Sequence, residues 1–188
     1  MRQKRIKFGI ALAIVPLILV GCGVNPNDSN KSVEEELTGT EEQRVAKVEE
    51  YLLKNAATVW REEYRHGTTI CYRAAQKPGV TLPGKIEDPH FLFRSVDPFR
   101  HDGDVYFVSF RVPVADVDKW ATFLESEELR REKGEVEILE SAQRDWWGAP
   151  ARLSRLTFYK PRKLSGRVNG WTGVDRATGD IFIYSFTM

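Results

Sequence analysis

The sequence predicts an α+β fold, a mainly antiparallel sheet with two principal helices packed on it. Three observations carry that expectation. Val45, Val48, Leu52, Ala56 and Val59 recur at three- and four-residue steps, which sets one apolar stripe along a helix. Tyr106, Val108, Phe110 and Val112 alternate with their neighbours, so they share one face of a strand. Segments 171–174 and 180–186 flank Asp175-Arg176-Ala177-Thr178-Gly179, a hairpin turn in which Gly179 supplies a positive φ. No internal repeat and no second domain boundary appear, and the order helix, strands, helix, strands suits helices packed on a sheet face.

Taken in order, Thr40 and Gln43 stand at capping-box spacing, so the first helix begins at Thr40. It is expected to run to about Tyr64 and stop near Gly67. A short β-rich run at 68–73 follows, closed by Lys77-Pro78-Gly79 and Pro83-Gly84. Further strands are expected at 91–96 and, most clearly, 105–112. Pro113 ends the latter, and its fixed φ suits the first turn of the next helix. There Val117, Trp120, Phe123 and Leu124 fall on one side. Asp116 and Asp118 sit at the positive end of the dipole, Arg130, Arg131 and Lys133 near the other, with Gly134 as the stop. Strands at 136–139 and 153–159 border a loop carrying Trp146-Trp147-Gly148-Ala149-Pro150. Phe182, Tyr184 and Phe186 share one face of the last strand.

The chain opens with Arg2, Lys4, Arg5 and Lys7, then an apolar run over 8–20 closed by Gly21-Cys22, the layout of an export signal. As a helix that run covers roughly 20 Å, short of the ~30 Å hydrocarbon core of a bilayer. Pro16 further weakens a spanning helix. Leu19-Val20-Gly21-Cys22 resembles the lipobox of bacterial lipoprotein precursors. The resemblance covers the signal segment alone; the mature domain carries no family resemblance. It implies diacylglycerol in thioether linkage on Cys22, an acylated amine, and Cys22 as the first mature residue. The membrane is then a partner, since several acyl chains hold stably where one binds marginally. An Asp after the Cys favours inner-membrane retention in lipoproteins of Gram-negative enteric bacteria. Gly23 therefore implies the periplasmic face of the outer membrane, if the host is Gram-negative.

The expected organisation is a signal peptide at 1–21, a flexible tether at 22–39 and a single α+β domain at 40–188. The tether reads Gly-Val-Asn-Pro-Asn-Asp-Ser-Asn-Lys-Ser and then an acidic stretch, with little apolar content. Without residues 1–21 the formal charge is −3. That balance argues against a chain built to coat nucleic acid, so no nucleic-acid partner is expected. The charge is uneven: 22–66 holds 10 acidic and 6 basic residues, whereas 142–188 holds 8 basic and 3 acidic. Cys22 and Cys71 are the only cysteines, so the domain must be held by its core rather than by disulfides. Cys71 lies between Ile70 and Tyr72 in an apolar run, where it is expected to pack as a small hydrophobe rather than act as a nucleophile.

Catalytic signals are sparse. His66, His90 and His101 are scattered, and no HExxH, CxxC, phosphate loop, GxSxG or dinucleotide fingerprint appears. Asp97, His101, Asp102 and Asp104 are the only dense set of cation ligands, and their spacing is not that of a calcium loop. Asp and Gly are also what a turn before the 105–112 strand requires, so a turn is expected, with no metal and no cofactor. Glu62, Glu63 and Asp88 have no fixed separation that would mark a glycosidase pair. The stronger constellation is aromatic and basic. Trp146 and Trp147 lie beside Arg144, Arg152, Arg155, Lys160, Arg162, Lys163 and Arg167. Aromatics beside cations stack on sugars or bases and hold anionic groups. The candidate binding residues are Trp146, Trp147, Lys160, Arg162 and Lys163, with core packing of both tryptophans as the competing reading.

These readings converge on a lipid-anchored, exported, non-catalytic binding or envelope-assembly module, with an envelope protein, peptidoglycan or another anionic glycan as partner. The alternatives are a small envelope hydrolase using Asp and His residues between Asp88 and Asp104, or a purely structural envelope lipoprotein. A bound metal or a conserved pocket at 88–104 would favour the hydrolase; an exposed aromatic groove without clustered acids would favour the binder.

Overall fold

The computed structural model describes residues 33–66, 69–95, 103–125 and 142–187. The signal segment, Cys22, the strand expected at 136–139 and the helix stop at Gly134 lie outside the described residues. The elements in chain order are β1 (Val33–Glu36), α1 (Glu41–Ala57), β2 (Thr58–His66), β3 (Thr69–Gln76), β4 (Glu87–Ser95), β5 (Val105–Arg111) and α2 (Val117–Leu124). They continue as α3 (Ala149–Arg152), β6 (Leu156–Tyr159), α4 (Arg162–Ser165), β7 (Asn169–Asp175) and β8 (Asp180–Phe186). Among the described residues six strands form one sheet in the order β1-β4-β5-β8-β7-β6, with antiparallel pairing throughout, while β2 and β3 form a separate two-stranded ribbon. The fold is α+β, as the alternation and helical periodicity predict.

α1 opens on a full capping box: the Gln43 amide donates to Thr40 Oγ1 at 3.3 Å, and the Thr40 amide donates to Gln43 Oε1 at 3.1 Å. Its end is a correction. The helix stops at Ala57 rather than near Tyr64, and Thr58–His66 is β2. Thr58, Val59 and Trp60 are β-branched or aromatic residues that favour a pleated strand. The Thr58 hydroxyl donates to Lys54 O at 2.7 Å, and β3 offers a ladder from Thr58↔Gln76 to His66↔Thr69. Val48 and Leu52 of the expected stripe are buried, whereas Val59 is exposed because the chain has already left the helix. Cys71, expected to pack as a small hydrophobe, falls in the β-rich run as expected but not in a core. It sits on the ribbon, half-buried and outside both core clusters.

Composition also placed Val33–Glu36 in the tether, yet these residues pair with β4 as an edge strand. Charge rather than apolar burial holds them: Arg94 Nε donates to Glu34 Oε2 at 2.7 Å from the directly opposed position.

The sheet separates two cores. On one face Val108, Phe110, Val174, Ile181 and Ile183 pack against Val48 and Leu52 of α1, Val117, Trp120 and Leu124 of α2, and Leu164 of α4. On the other, Leu92, Phe107, Phe158, Trp171, Phe182 and Tyr184 pack against Ala142, Trp147 and Ala149. Gly179 closes the β7–β8 turn at φ +77°, and a Cβ there would stand 2.2 Å from Val112 O, so both conformation and space require glycine. No helix among the described residues is long and apolar enough to cross a membrane.

Candidate binding cleft

Register builds the site. His90, Ser109 and Phe182 lie side by side across β4, β5 and β8, and Arg111 lies directly opposite Asp180 in the adjacent position. Between Glu87 and His90 the β4 register shifts by one residue, a bulge. Asp88 occupies it with φ +46°, a left-handed conformation that Asp tolerates better than most residues. The bulge turns the Asp88 carboxylate onto its own strand's histidine, with Oδ1 3.1 Å from His90 Nε2.

The His90 ring stacks on Trp146, with centroids 5.1 Å apart and planes 7° from parallel. Trp146 Nε1 donates to Glu36 Oε1 at 3.0 Å, so the edge strand fixes the indole as well. Arg144 Nε donates to Glu36 Oε2 at 2.8 Å, and its Nη2 donates to Glu34. Arg94 adds a 2.7 Å bond to Ala142 O. β1 and β4 thereby clamp the segment that carries both tryptophans. Hydrogen bonds from Arg144 first and Trp146 second hold the Glu36 carboxyl below the usual carboxylate range, against the opposing effect of burial.

The facing wall centres on Asp180. It accepts from Thr178 Oγ1 at 2.6 Å, from Arg111 Nε at 3.0 Å and from Arg152 Nη1. Burial alone would raise the Asp180 carboxyl, but the Thr178 and Arg111 bonds and the Arg152 charge outweigh it and hold the group low. The Asp180 side chain is 10% exposed and that of Arg111 50%. Arg152 also lies 5.8 Å from the centroid of Phe182. Between the walls is an open cleft of about 200 Å³, with Ser109 on its floor and Asp145 and Gly148 at its rim segment. It presents three carboxylates (Asp88, Asp145 and Asp180) against two guanidiniums, Arg111 and Arg152.

The expected aromatic–basic surface is divided. Trp146 lines the cleft. Trp147 is a correction: it is 5% exposed, edge-on to Phe107 at 5.2 Å and to Phe182 at 5.5 Å, and belongs to the core. Arg162 and Lys163 sit on α4, which packs on the opposite sheet face, so they do not share a surface with Trp146. Lys163 Nζ lies 4.0 Å from the Phe123 ring centroid and donates to Phe123 O. Lys160 is exposed between β6 and α4. Strand β6 carries the chain from one face to the other, so neighbours in sequence become strangers in space. Of the cation set, Asp97, His101 and Asp102 lie outside the described residues. Asp104 is buried at the far end of β5, its backbone paired with Thr187. Among the described residues no group of three or more His, Cys, Asp or Glu is arranged for a metal.

Sequence reasoning missed Arg111 and Asp180, and named Arg152 only as a neighbour of the tryptophans. One signal was present: the alternation that puts Phe182 and Tyr184 on one face puts Asp180 there too. The chain matches no protein-family model, no curated protein and no solved structure. Chemically the cleft offers carboxylates that accept hydrogen bonds, guanidiniums that donate them, an imidazole with a carboxylate partner and a fixed indole.

Proposed function

We propose that the protein is an exported, lipid-anchored, non-catalytic binding module of the bacterial envelope, and that its cleft holds a glycan segment. The single observation that carries the reading is that the fixed Trp146 ring and the Arg111–Asp180–Arg152 cluster line one cleft. Sugars present hydroxyls that donate to carboxylates and accept from guanidiniums, and apolar C–H faces that suit an indole. Both walls are held in place without ligand, so little ordering cost falls on binding. Three carboxylates against two guanidiniums favour a neutral sugar segment, such as the amino-sugar backbone of peptidoglycan, over the polyanion suggested by the basic carboxy-terminal quarter.

Calorimetric titration with soluble peptidoglycan fragments tests the cleft. Trp146→Ala should weaken binding by roughly 5- to 150-fold, the range for a lost ring stack. Equal affinity in wild type and variant would refute the assignment. The anchor rests on Leu19-Val20-Gly21-Cys22 and is tested separately. Metabolic labelling with a fatty acid should mark the wild type and not Cys22→Ala.

A second reading, hydrolysis of the same ligand, draws on the Asp88–His90 pair at the bulge and on the clustered acids of the cleft, Asp88, Asp145 and Asp180, the features expected of a hydrolase. A left-handed non-glycine residue at a cleft is the kind of local strain that accompanies chemistry. His90 would act as general base, oriented by Asp88. Release of cleaved glycan by wild type, abolished in His90→Asn, would replace binding with hydrolysis.

A further inference from the structure

We infer that the aromatic face of the β2–β3 ribbon, together with α4, is a second functional surface that rests on an anionic lipid bilayer. The inference builds on the lipid anchor proposed above. Trp60 is 41% exposed, Tyr72 55% and Val168 69%, and with Arg162 they line one shallow hollow. An adjoining groove is lined by Val59, Trp60, Arg162 and Lys163 among others. The pairings Trp60↔Ala74 and Glu62↔Tyr72 put both rings on the same ribbon face, on a diagonal that aromatic side chains can bridge.

Three features select a bilayer as the occupant. Trp and Tyr have apolar bodies and polar tips, which suit them to the headgroup level of a membrane. Arg162 borders both hollows and Lys163 one of them, and no carboxylate lines either one among the described residues, so the hollows complement anionic headgroups, with Glu62 on the same ribbon face outside them. The chain length also fits. Ten residues lie between Cys22 and Val33, where β1 begins, a reach of at most roughly 40 Å. Among the described strands β1 and β6 are the two edges of the sheet, five strand spacings or roughly 24 Å apart, and α4 directly follows β6. An anchor leaving the β1 edge therefore reaches the bilayer beneath the α4 end. A two-stranded ribbon is marginal by itself in water, and a bilayer under its aromatic face supplies burial that neither core provides.

Tryptophan emission from the acylated protein in vesicles of phosphatidylethanolamine and phosphatidylglycerol with brominated acyl chains tests this surface. Of the five tryptophans, Trp120, Trp147 and Trp171 are buried and Trp146 lines the cleft, so contact quenching by bromine should come from Trp60. Wild type should be quenched relative to unbrominated vesicles, and Trp60→Phe should lose that quenched component. Arg162→Glu, an exposed position outside the ribbon, should shrink the quenched fraction without touching any tryptophan. An unquenched wild type, equal quenching in Trp60→Phe, or an unchanged fraction in Arg162→Glu overturns the inference. Intact mass of the same sample separates the two readings. An unacylated mature chain overturns the anchor and this surface together; an acylated but unquenched protein overturns this surface alone.

Discussion

The imidazole of His90 and the indole of Trp146 lie face to face, 5.1 Å between centroids and 7° between planes. Each ring is also tied to a carboxylate, His90 to Asp88 and Trp146 to Glu36. The contact joins the bulge in β4, the edge strand β1 and the tryptophan loop. One wall of the cleft therefore exists only if three separate segments fold together.

The adjacent tryptophans should behave oppositely. Trp147→Ala opens a cavity in the core and should cost about 3–5 kcal/mol of stability. Trp146→Ala removes a half-buried ring and should cost about 1 kcal/mol while weakening ligand binding. Urea denaturation checks both. Similar losses for the two variants would mean that Trp146 is a core residue as well.

Asp180 should give the fold an acid-sensitive element. Its carboxyl is held below the ordinary value, so its contribution is fully present above that value and is lost as pH falls through the lower folded-state value. Asp180→Asn leaves Arg111 and Arg152 without their shared anion and should cost about 2 kcal/mol at pH 7. The difference between wild type and variant should shrink below roughly pH 4, the ordinary range for Asp. A difference that stays constant from pH 7 to pH 3 would contradict the charge-based account.

At the alkaline end, burial pushes the Tyr51 phenol up to about 12, against the lowering effect of the nearby Arg167 guanidinium. The neutral phenol is favoured in the fold, so this contribution is present below roughly pH 10 and is lost as pH rises toward the folded value. Ultraviolet titration of wild type should show a late ionising component near 12 that Tyr51→Phe lacks. Loss of an ordinary-value component in Tyr51→Phe, in place of the late one, would show the ring to be solvated.

Much of the fold was legible because its signals are local. The capping box at Thr40 and Gln43, the alternation from Tyr106 to Val112 and the Gly179 turn each specify an element by themselves. The errors fell where long-range pairing overrides composition. Glu34 and Glu36 read as a solvated tether until Arg94 and Arg144 stand opposite them. The Val59 position continued a helical stripe although the chain had turned into a ribbon. The site was half legible. Trp146 drew notice for its neighbours, but Asp180 and Arg111 become partners only through a strand register that no local pattern fixes.

Asp88 tests whether the bulge serves the site or the fold. Glycine at this left-handed position relieves backbone strain and adds chain entropy, effects of about 1 kcal/mol each and of opposite sign. Asp88→Gly should therefore melt within a few degrees of wild type while removing the carboxylate beside His90. Ligand binding or turnover should fall. A variant that unfolds would make Asp88 a structural residue.

The central claim is that the cleft between Trp146 and Asp180 is where the ligand binds. Backbone amide spectra of isotopically labelled protein, recorded while soluble peptidoglycan fragments are added, test it most directly. The account expects saturable shifts clustered at His90, Ser109, Arg111, Trp146, Gly148 and Asp180. Shifts confined to Trp60, Tyr72 and Arg162, or none at saturating fragment, would contradict it.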